Sequence, residues 1–145
     1  MKIDVSAIDQ TNFMVHTHLI GNEQVYLVQP IHIGAVWDGI NDIFRSSVWD
    51  MEGNLISASF KKFVNWGEKP HIYPVPTNLA GAKLMEKVDG STLIFSRWNR
   101  NTIIRTRGTV DARKQENGHE IDVLLAKYPK FIEFLEMGET STCSY

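Results

Sequence analysis

The spacing of apolar residues changes once along this chain, and the change separates a strand-forming part from a helical part. Phe13 to Ile20 alternates weakly between apolar and polar side chains and meets Gly21-Asn22, a dipeptide typical of tight turns. Gln24 to Val28 follows as its hairpin partner. Further strands are predicted at Ile43 to Trp49, Leu55 to Phe60, Ala82 to Lys87, Ser91 to Trp98 and Thr102 to Thr106. Most of the chain is therefore expected to form strands.

The last predicted element has a helical period. Its apolar residues fall at i, i+3, i+4, i+7, i+10, i+11 and i+14, and they are Ile121, Leu124, Leu125, Tyr128, Phe131, Ile132 and Leu135. Pro129 interrupts this stripe, which predicts either a kink or two short helices. Together the patterns predict one α+β domain over residues 1–145, with mainly antiparallel strands and a C-terminal amphipathic helix packed on them.

Composition excludes several classes of protein. No stretch reaches the roughly 18 apolar residues that a membrane helix needs, so no membrane association is expected. The N-terminus lacks the apolar core of a signal peptide. Cys143 is the single cysteine, which excludes an internal disulfide framework and most cysteine-based metal sites. A cytoplasmic location is the expectation.

Charge is distributed unevenly along the sequence. The chain as a whole has a net charge of −2, yet residues 60–114 contain eleven Lys and Arg against four Asp and Glu. The remaining residues are correspondingly acidic. A basic middle within an acidic protein is typical of a focused anion site, although it is also compatible with a solvated sheet face.

Lys87 is the strongest candidate for a reacting group. Three prolines predict a loop at Gly67 to Asn78, before Lys87. Lys87 ends a predicted strand and begins the run Lys87-Val88-Asp89-Gly90-Ser91. An amine attacks only in its neutral form, which nearby cations favour. The basic segment offers four such cations: Lys62, Arg97, Arg105 and Arg107. An ordinary alternative is an Asp-Gly hairpin turn with Lys87 as a solvated strand end.

Two further runs give the motif an ordered context. Phe60-Lys61-Lys62-Phe63-Val64-Asn65 precedes Lys87, and Arg105-Thr106-Arg107-Gly108-Thr109 follows it. With Arg45 and the turn at Asp50 to Gly53, this order resembles the nucleotidyltransferase domain of ATP-dependent RNA ligases. The resemblance is greatest to the phage type that reseals broken tRNA anticodon loops, and it covers Arg45 to Thr109. It implies a bacterial or phage-infected cell.

The resemblance implies a reaction and a set of roles. The lysine matching Lys87 attacks the α-phosphorus of ATP, with Mg²⁺ as cofactor, and the resulting lysyl-AMP serves to join RNA 5′-phosphate and 3′-hydroxyl ends. The implied nucleotide-binding residues are Arg45, Lys62, Glu86, Asp89, Gly90 and Arg107. Arg45 and Lys62 would contact phosphates, and Arg107 would lie near the reacting phosphate. Glu86 would approach the adenine, and Gly90 would line the pocket beside it. No metal ligand is assigned to the chain.

Departures from the family pattern limit what is expected of the chain. Ser46-Ser47 stands where the family usually has glycine after the arginine, and Val64 replaces a phenylalanine. The family's later Phe-Glu-Phe and Lys-x-Lys strands do not occur, and Ser141 to Tyr145 is similar to the approach to the first of them. A C-terminally incomplete ligase domain is therefore predicted, which needs a C-terminal part in trans. The alternative is a non-catalytic fragment that binds a nucleotide or an RNA end.

Structural roles are the alternative for several of these residues. Arg45 could pair with Asp50 or Glu52, and Arg105 could be a solvent-side companion of Arg107 on one strand face. Trp66 and Trp98 are predicted to be packing residues rather than platforms for bases. His16 and His18 fall on one strand face, where surface packing is favoured over a metal pair.

Overall fold

Two antiparallel sheets form the body of the protein, as seen in a computed structural model that describes residues 1–137 and 142–144. The strands are β1 (Phe13–Ile20), β2 (Glu23–Pro30), β3 (Ser47–Asp50), β4 (Leu55–Ala58), β5 (Ile94–Trp98), β6 (Asn101–Arg105) and β7 (Thr142–Ser144). The first sheet has the order β1-β2-β3-β4, and the second has the order β6-β5-β7. The helices are α1 (His119–Lys127) and α2 (Lys130–Met137). The predicted α+β class with mostly antiparallel strands is confirmed.

The β1–β2 hairpin forms where the alternation predicts it. Phe13 pairs with Pro30 and Ile20 with Glu23, and the turn between the strands contains Gly21 at a φ of +60°. Glycine adopts this left-handed conformation without the steric cost that a Cβ brings. The local pattern therefore determines both the turn and the register of this hairpin.

The turn between β3 and β4 is closed by Asp50 and clamped by the N-terminus. The Asp50 carboxylate accepts hydrogen bonds from the backbone N–H groups of Glu52 and Asn54 at 2.9 and 2.8 Å. Gly53 has a φ of +82°, and its carbonyl accepts a hydrogen bond from the Ile3 N–H at 2.9 Å. The turn named at Asp50 to Gly53 in the sequence is therefore confirmed.

Three apolar clusters stabilise this arrangement. One packs the 31–45 connection on the first sheet through Phe13, Val28, Trp37, Ile43 and Trp49. A second joins the two sheets, since Ile103 of β6 packs with Val25, Leu27, Val48 and Ile56. The third seats the helices on the second sheet through Phe95, Ile104, Ala112 and Ile121.

The predicted helical stripe is divided into two helices. α1 ends at Lys127 and α2 begins at Lys130, so the break falls at Pro129, whose ring cannot continue a helix. Ile121 is buried, and Leu124, Leu125, Phe131 and Ile132 pack against the same cluster, whereas Tyr128 is exposed. The side chain of Leu135 lies outside the described part, as do Ser141 and Tyr145. In the described residues no helix has the length and apolar character needed to cross a membrane.

One strand prediction is wrong and another begins too early. The strand predicted at Ile43 to Trp49 is present, but residues Asn41–Arg45 form a 3₁₀ turn and β3 starts only at Ser47. The segment from Ala82 to Lys87 forms no strand, and every residue from 76 to 91 is exposed. β5 accordingly starts at Ile94, three residues later than predicted.

Candidate functional site

Arg45 stands at the end of the 3₁₀ turn, where the chain enters β3. Its guanidinium lies 4.5 Å from the centroid of the Phe63 ring, and its Nη1 donates a hydrogen bond to the Lys61 carbonyl at 3.5 Å. Partial burial lowers the pKa of Arg45, and the nearby positive charge of Arg107 lowers it further. The possible pairing of Arg45 with Asp50 or Glu52 does not occur among the described residues. Arg45 therefore faces a second cation instead of a carboxylate.

Arg107 lies in a turn just after β6, not on the strand. The turn is closed by Thr109, whose Oγ1 accepts a hydrogen bond from the Thr106 N–H at 3.2 Å. The Arg107 carbonyl accepts a hydrogen bond from the Ser46 hydroxyl at 2.7 Å. This contact joins two positions 61 residues apart and brings Arg107 beside the residue that follows Arg45. Arg45 and Arg107 are called the arginine pair below.

Lys62 reaches this region through its backbone. Its N–H donates to the Asp42 carbonyl at 3.0 Å, and its neighbours Lys61 and Phe63 are the residues that contact Arg45. The Lys62 ammonium, however, lies 5.9 Å from the centroid of the Trp37 ring. Lys62 therefore flanks the arginine pair and is held against an aromatic face.

Arg105 is the residue whose role the sequence did not reveal. Its side chain is fully buried between the sheets, so the expectation of a solvent-side companion to Arg107 is wrong. Nε donates to the Ser57 hydroxyl at 2.8 Å, Nη1 to the Ser46 hydroxyl at 2.6 Å, and Nη2 to the Ser46 carbonyl at 3.3 Å. Burial lowers the pKa of Arg105 to about 9, so the guanidinium is still charged at neutral pH.

The arginine pair has no acidic partner in the part of the chain that the structure describes. The ion pairs there are Arg113–Asp122 and Lys114–Asp111, both next to α1. Two positive charges near one another repel, and a bound anion relieves that repulsion. Arginine also matches phosphate oxygens with a planar fork of donors. The arrangement can therefore bind a phosphate.

The Lys87 segment is separate from this arrangement. Glu86, Lys87, Asp89 and Gly90 are all exposed, and within residues 1–137 and 142–144 the three charged residues make no hydrogen bond or ion pair. Gly90 has a φ of +149°, with no neighbouring atom within 4 Å of the position a Cβ would take. Lys87 therefore does not end a strand, and no recorded contact joins it to the arginine pair.

The register of the second sheet nevertheless links the two regions. The segment that contains Lys87 enters the sheet at Ile94, and Ile94 is the antiparallel partner of Arg105. Lys87 precedes Ile94 by seven residues, a stretch that spans at most about 25 Å when extended. The lysine is therefore tethered beside the strand that leads into Arg107.

Other candidate sites lack the required chemistry. The His16 and His18 ring centroids are 6.4 Å apart, and partial burial and the charge of His16 lower the pKa of His18. In the described ranges no group of three or more His, Cys, Asp or Glu could hold a metal ion. A cleft of about 550 Å³ is lined by Glu23, Gln24, Asp50, Met51, Glu52, Trp98 and Asn99, and its carboxylates disfavour a nucleotide.

The two tryptophans predicted as packing residues differ in position. Trp98 is half-buried and packs against the cluster between the sheets, whereas Trp66 is 69% exposed. Trp66 therefore lies on the surface of the basic segment.

Comparison with known proteins gives no match. No family model, no curated protein and no solved structure is significantly similar to the chain. A function must therefore be inferred from the residues and their arrangement.

Proposed function

We propose that the chain is part of an ATP-dependent RNA ligase, in which Lys87 is the nucleophile and the arginine pair binds phosphate. The observation that carries the proposal is the arginine pair itself. Arg45 and Arg107 come from distant parts of the sequence, are held together by the Ser46 hydroxyl, and lack a carboxylate among the described residues. Both belong to the ordered motifs around Lys87 that resemble this family.

The proposed chemistry forms and breaks one bond at each step. The neutral Lys87 amine attacks the α-phosphorus of ATP, a P–N bond forms, and the bond to the leaving pyrophosphate breaks. The nitrogen releases one proton to solvent in this step and takes one up when AMP leaves it. AMP then passes to the 5′-phosphate of an RNA end, which restores the amine. Attack by a 3′-hydroxyl forms the phosphodiester and expels AMP. Each transfer develops charge on phosphoryl oxygens, which placed guanidinium groups stabilise.

The short connection from Lys87 to β5 supports access of Lys87 to the arginine pair. Lys87 precedes Ile94 by seven residues, and Ile94 pairs with Arg105, which is two residues before Arg107. The same exposed segment contains Glu86, Asp89 and Gly90. Their proposed contacts to the nucleotide form only when this segment closes on the nucleotide. Lys62, next to Phe63 and Lys61, is proposed to add a further phosphate contact.

Mg²⁺ is proposed as the counter-ion that accompanies ATP. The described residues gather no group of three or more His, Cys, Asp or Glu side chains, so they offer no site built entirely from protein ligands. No step is therefore assigned to a metal held by this chain. The nucleotidyltransferase fold and the need for a C-terminal ligase part in trans belong to the same proposal.

Intact-mass measurement tests the nucleophile. The chain is incubated with ATP and Mg²⁺, together with a polypeptide that carries the Phe-Glu-Phe and Lys-x-Lys strands of a ligase. We expect one adenylate per chain, absent in Lys87→Ala and retained in Lys83→Ala, which removes another exposed lysine of the same segment. An adduct that peptide mapping finds on another lysine contradicts the proposal.

A non-catalytic binding fragment is the second candidate. It is favoured by one observation, the exposure of Lys87 without a recorded contact in the described part of the chain. It predicts no adduct under the conditions above, but binding of 5′-phosphorylated RNA in preference to 5′-hydroxyl RNA. Absence of both the adduct and this preference contradicts both functions.

A further inference from the structure

A charged group is buried beside the arginine pair, and no carboxylate of residues 1–137 or 142–144 forms an ion pair with it. The Arg105 guanidinium has no exposed surface, and its hydrogen bonds go to two serine hydroxyls and to carbonyl oxygens. A buried charge costs stability unless it is paired, and a set of neutral oxygens compensates for only part of that cost. A role beyond packing is therefore indicated for Arg105.

We infer that Arg105 and Ser46 form a positioning joint that fixes the spacing of Arg45 and Arg107 and thereby sets the affinity for phosphate. The inference rests on the proposed phosphate site. Arg105 Nη1 donates to the Ser46 hydroxyl at 2.6 Å, and the same hydroxyl donates its proton to the Arg107 carbonyl at 2.7 Å. The Ser46 hydroxyl has a single proton. Because its oxygen accepts the hydrogen bond from Arg105, the proton is directed towards the Arg107 carbonyl.

Both members of the arginine pair are attached to this joint by the backbone. Ser46 directly follows Arg45, and its carbonyl accepts hydrogen bonds from Arg105 Nη2 at 3.3 Å and from the Ser59 N–H at 3.0 Å. Arg107 is held through its own carbonyl and follows Arg105 by two residues. The joint therefore sets where each arginine leaves the sheet, although neither Arg105 nor Ser46 reaches solvent.

Ser57 provides a matched control. It is as buried as Ser46, it accepts a hydrogen bond from Arg105 Nε at 2.8 Å, and it accepts another from the Ser96 hydroxyl at 2.7 Å. It makes no hydrogen bond to Arg107 in the described part of the chain. Replacing either serine by alanine removes one contact of Arg105, but only Ser46→Ala releases Arg107.

Binding of a 5′-phosphorylated oligoribonucleotide is measured by fluorescence anisotropy for the wild type, Ser46→Ala and Ser57→Ala, with unfolding midpoints in urea for each. We expect Ser46→Ala to weaken binding about fivefold, the value of one hydrogen bond, and Ser57→Ala to change it less than about twofold. Similar midpoints for the two variants show that the difference is not a loss of folding. Equal affinities of the two variants overturn the inference.

A spectroscopic readout separates this inference from the proposed function. The Arg107 carbonyl belongs to the peptide group that contains the Gly108 N–H, so losing the Ser46 hydrogen bond shifts the ¹⁵N resonance of Gly108 without any ligand present. We expect this shift in Ser46→Ala and not in Ser57→Ala. If Ser46→Ala shifts the Gly108 resonance but the wild type does not bind the RNA, the phosphate site is contradicted and the joint is supported. An unshifted Gly108 resonance in Ser46→Ala overturns the joint.

Discussion

Replacing Tyr73 by phenylalanine removes one hydroxyl group that connects two distant segments near the arginine pair. The hydroxyl donates to Asp42 Oδ1 at 2.6 Å, within the short range typical of hydrogen bonds to a carboxylate. Asp42 is only 7% exposed, and its backbone carbonyl accepts the Lys62 N–H. The contact therefore anchors the loop before Lys87 to the segment that leads into Arg45.

The expected loss of stability follows from the burial of this carboxylate. A hydrogen bond to a charged group contributes about 1.5–3 kcal/mol, and removing its donor leaves the charge less well solvated. We expect Tyr73→Phe to lower the free energy of unfolding by about 2 kcal/mol at pH 7. With a slope of about 2 kcal/mol per molar urea, the midpoint falls by about 1 M. Tyr26→Phe is the control, because the Tyr26 hydroxyl has no hydrogen bond among the described residues, and it should change stability by less than about 0.5 kcal/mol.

The pH dependence of this difference has a defined sign. Burial raises the pKa of Tyr73, and the hydrogen bond to Asp42 and the charges of Asp42 and Asp38 raise it further. A group whose pKa is raised in the folded state contributes its full stabilisation below its unfolded pKa of about 10 and loses it as the pH rises above that value. The difference between the wild type and Tyr73→Phe should be constant from pH 7 to 9, then shrink by at most about 1.4 kcal/mol per pH unit above pH 10. A difference that grows above pH 10, or that is absent at pH 7, refutes the reasoning.

Two further predictions concern the turn at Gly53 and the charge of the arginine pair. A Cβ at Gly53 would overlap the Ile3 carbonyl oxygen, so Gly53→Ala should lower the free energy of unfolding by about 3 kcal/mol. Gly67→Ala, at a φ of +78° with open space around the new Cβ, should cost about 1 kcal/mol, and equal urea midpoints would falsify this account. Arg107→Ala should weaken binding of 5′-phosphorylated RNA about tenfold and reduce the slope of log affinity against log salt by about 0.7. Arg113→Ala is the control, because it removes a cation already paired with Asp122. It should leave the slope of log affinity against log salt unchanged to within about 0.2. An equal reduction of the slope in both variants argues against a local phosphate site.

The parts of the fold that depend on local sequence could be predicted. The β1–β2 hairpin needs only its alternation and the turn at Gly21, and the break between α1 and α2 needs only Pro129. The 3₁₀ turn at Asn41–Arg45 depends instead on distant residues, because Asp42 is stabilised by a hydroxyl 31 positions away. Local periodicity contains no information about that contact, so the strand prediction begins at Ile43 and wrongly includes the end of this turn.

The sequence offers Arg45, Lys62 and Arg107 as candidate phosphate contacts, but it does not show how these residues are arranged. Strand alternation assigns Arg105 and Arg107 to one face, yet β6 ends at Arg105 and the chain turns at Thr106. Arg105 instead points into the protein, where its guanidinium donates to Ser57 of β4 and to Ser46, the residue before β3. A buried guanidinium depends on oxygens supplied from about 50 to 60 residues away, which a scan of neighbouring residues cannot detect.

Lys87 shows how sheet register can link a motif to a site when contacts do not. Among the described residues, no charged side chain contacts the Lys87 amine. From motif spacing alone, Lys87 would be one of the eleven Lys and Arg residues in the basic middle of the chain. Ile94, however, pairs with Arg105, which makes the strand after Lys87 the direct neighbour of the strand before Arg107. The chain folds back at the β5–β6 hairpin. Lys87 precedes Ile94 by seven residues and Arg107 follows the paired Arg105 by two, although Lys87 and Arg107 are twenty residues apart in sequence. The β5–β6 pairing thus places the segment of Lys87 and the turn of Arg107 at the same end of the second sheet, as the proposed phosphate chemistry needs. Any change that breaks this pairing should also separate the two residues.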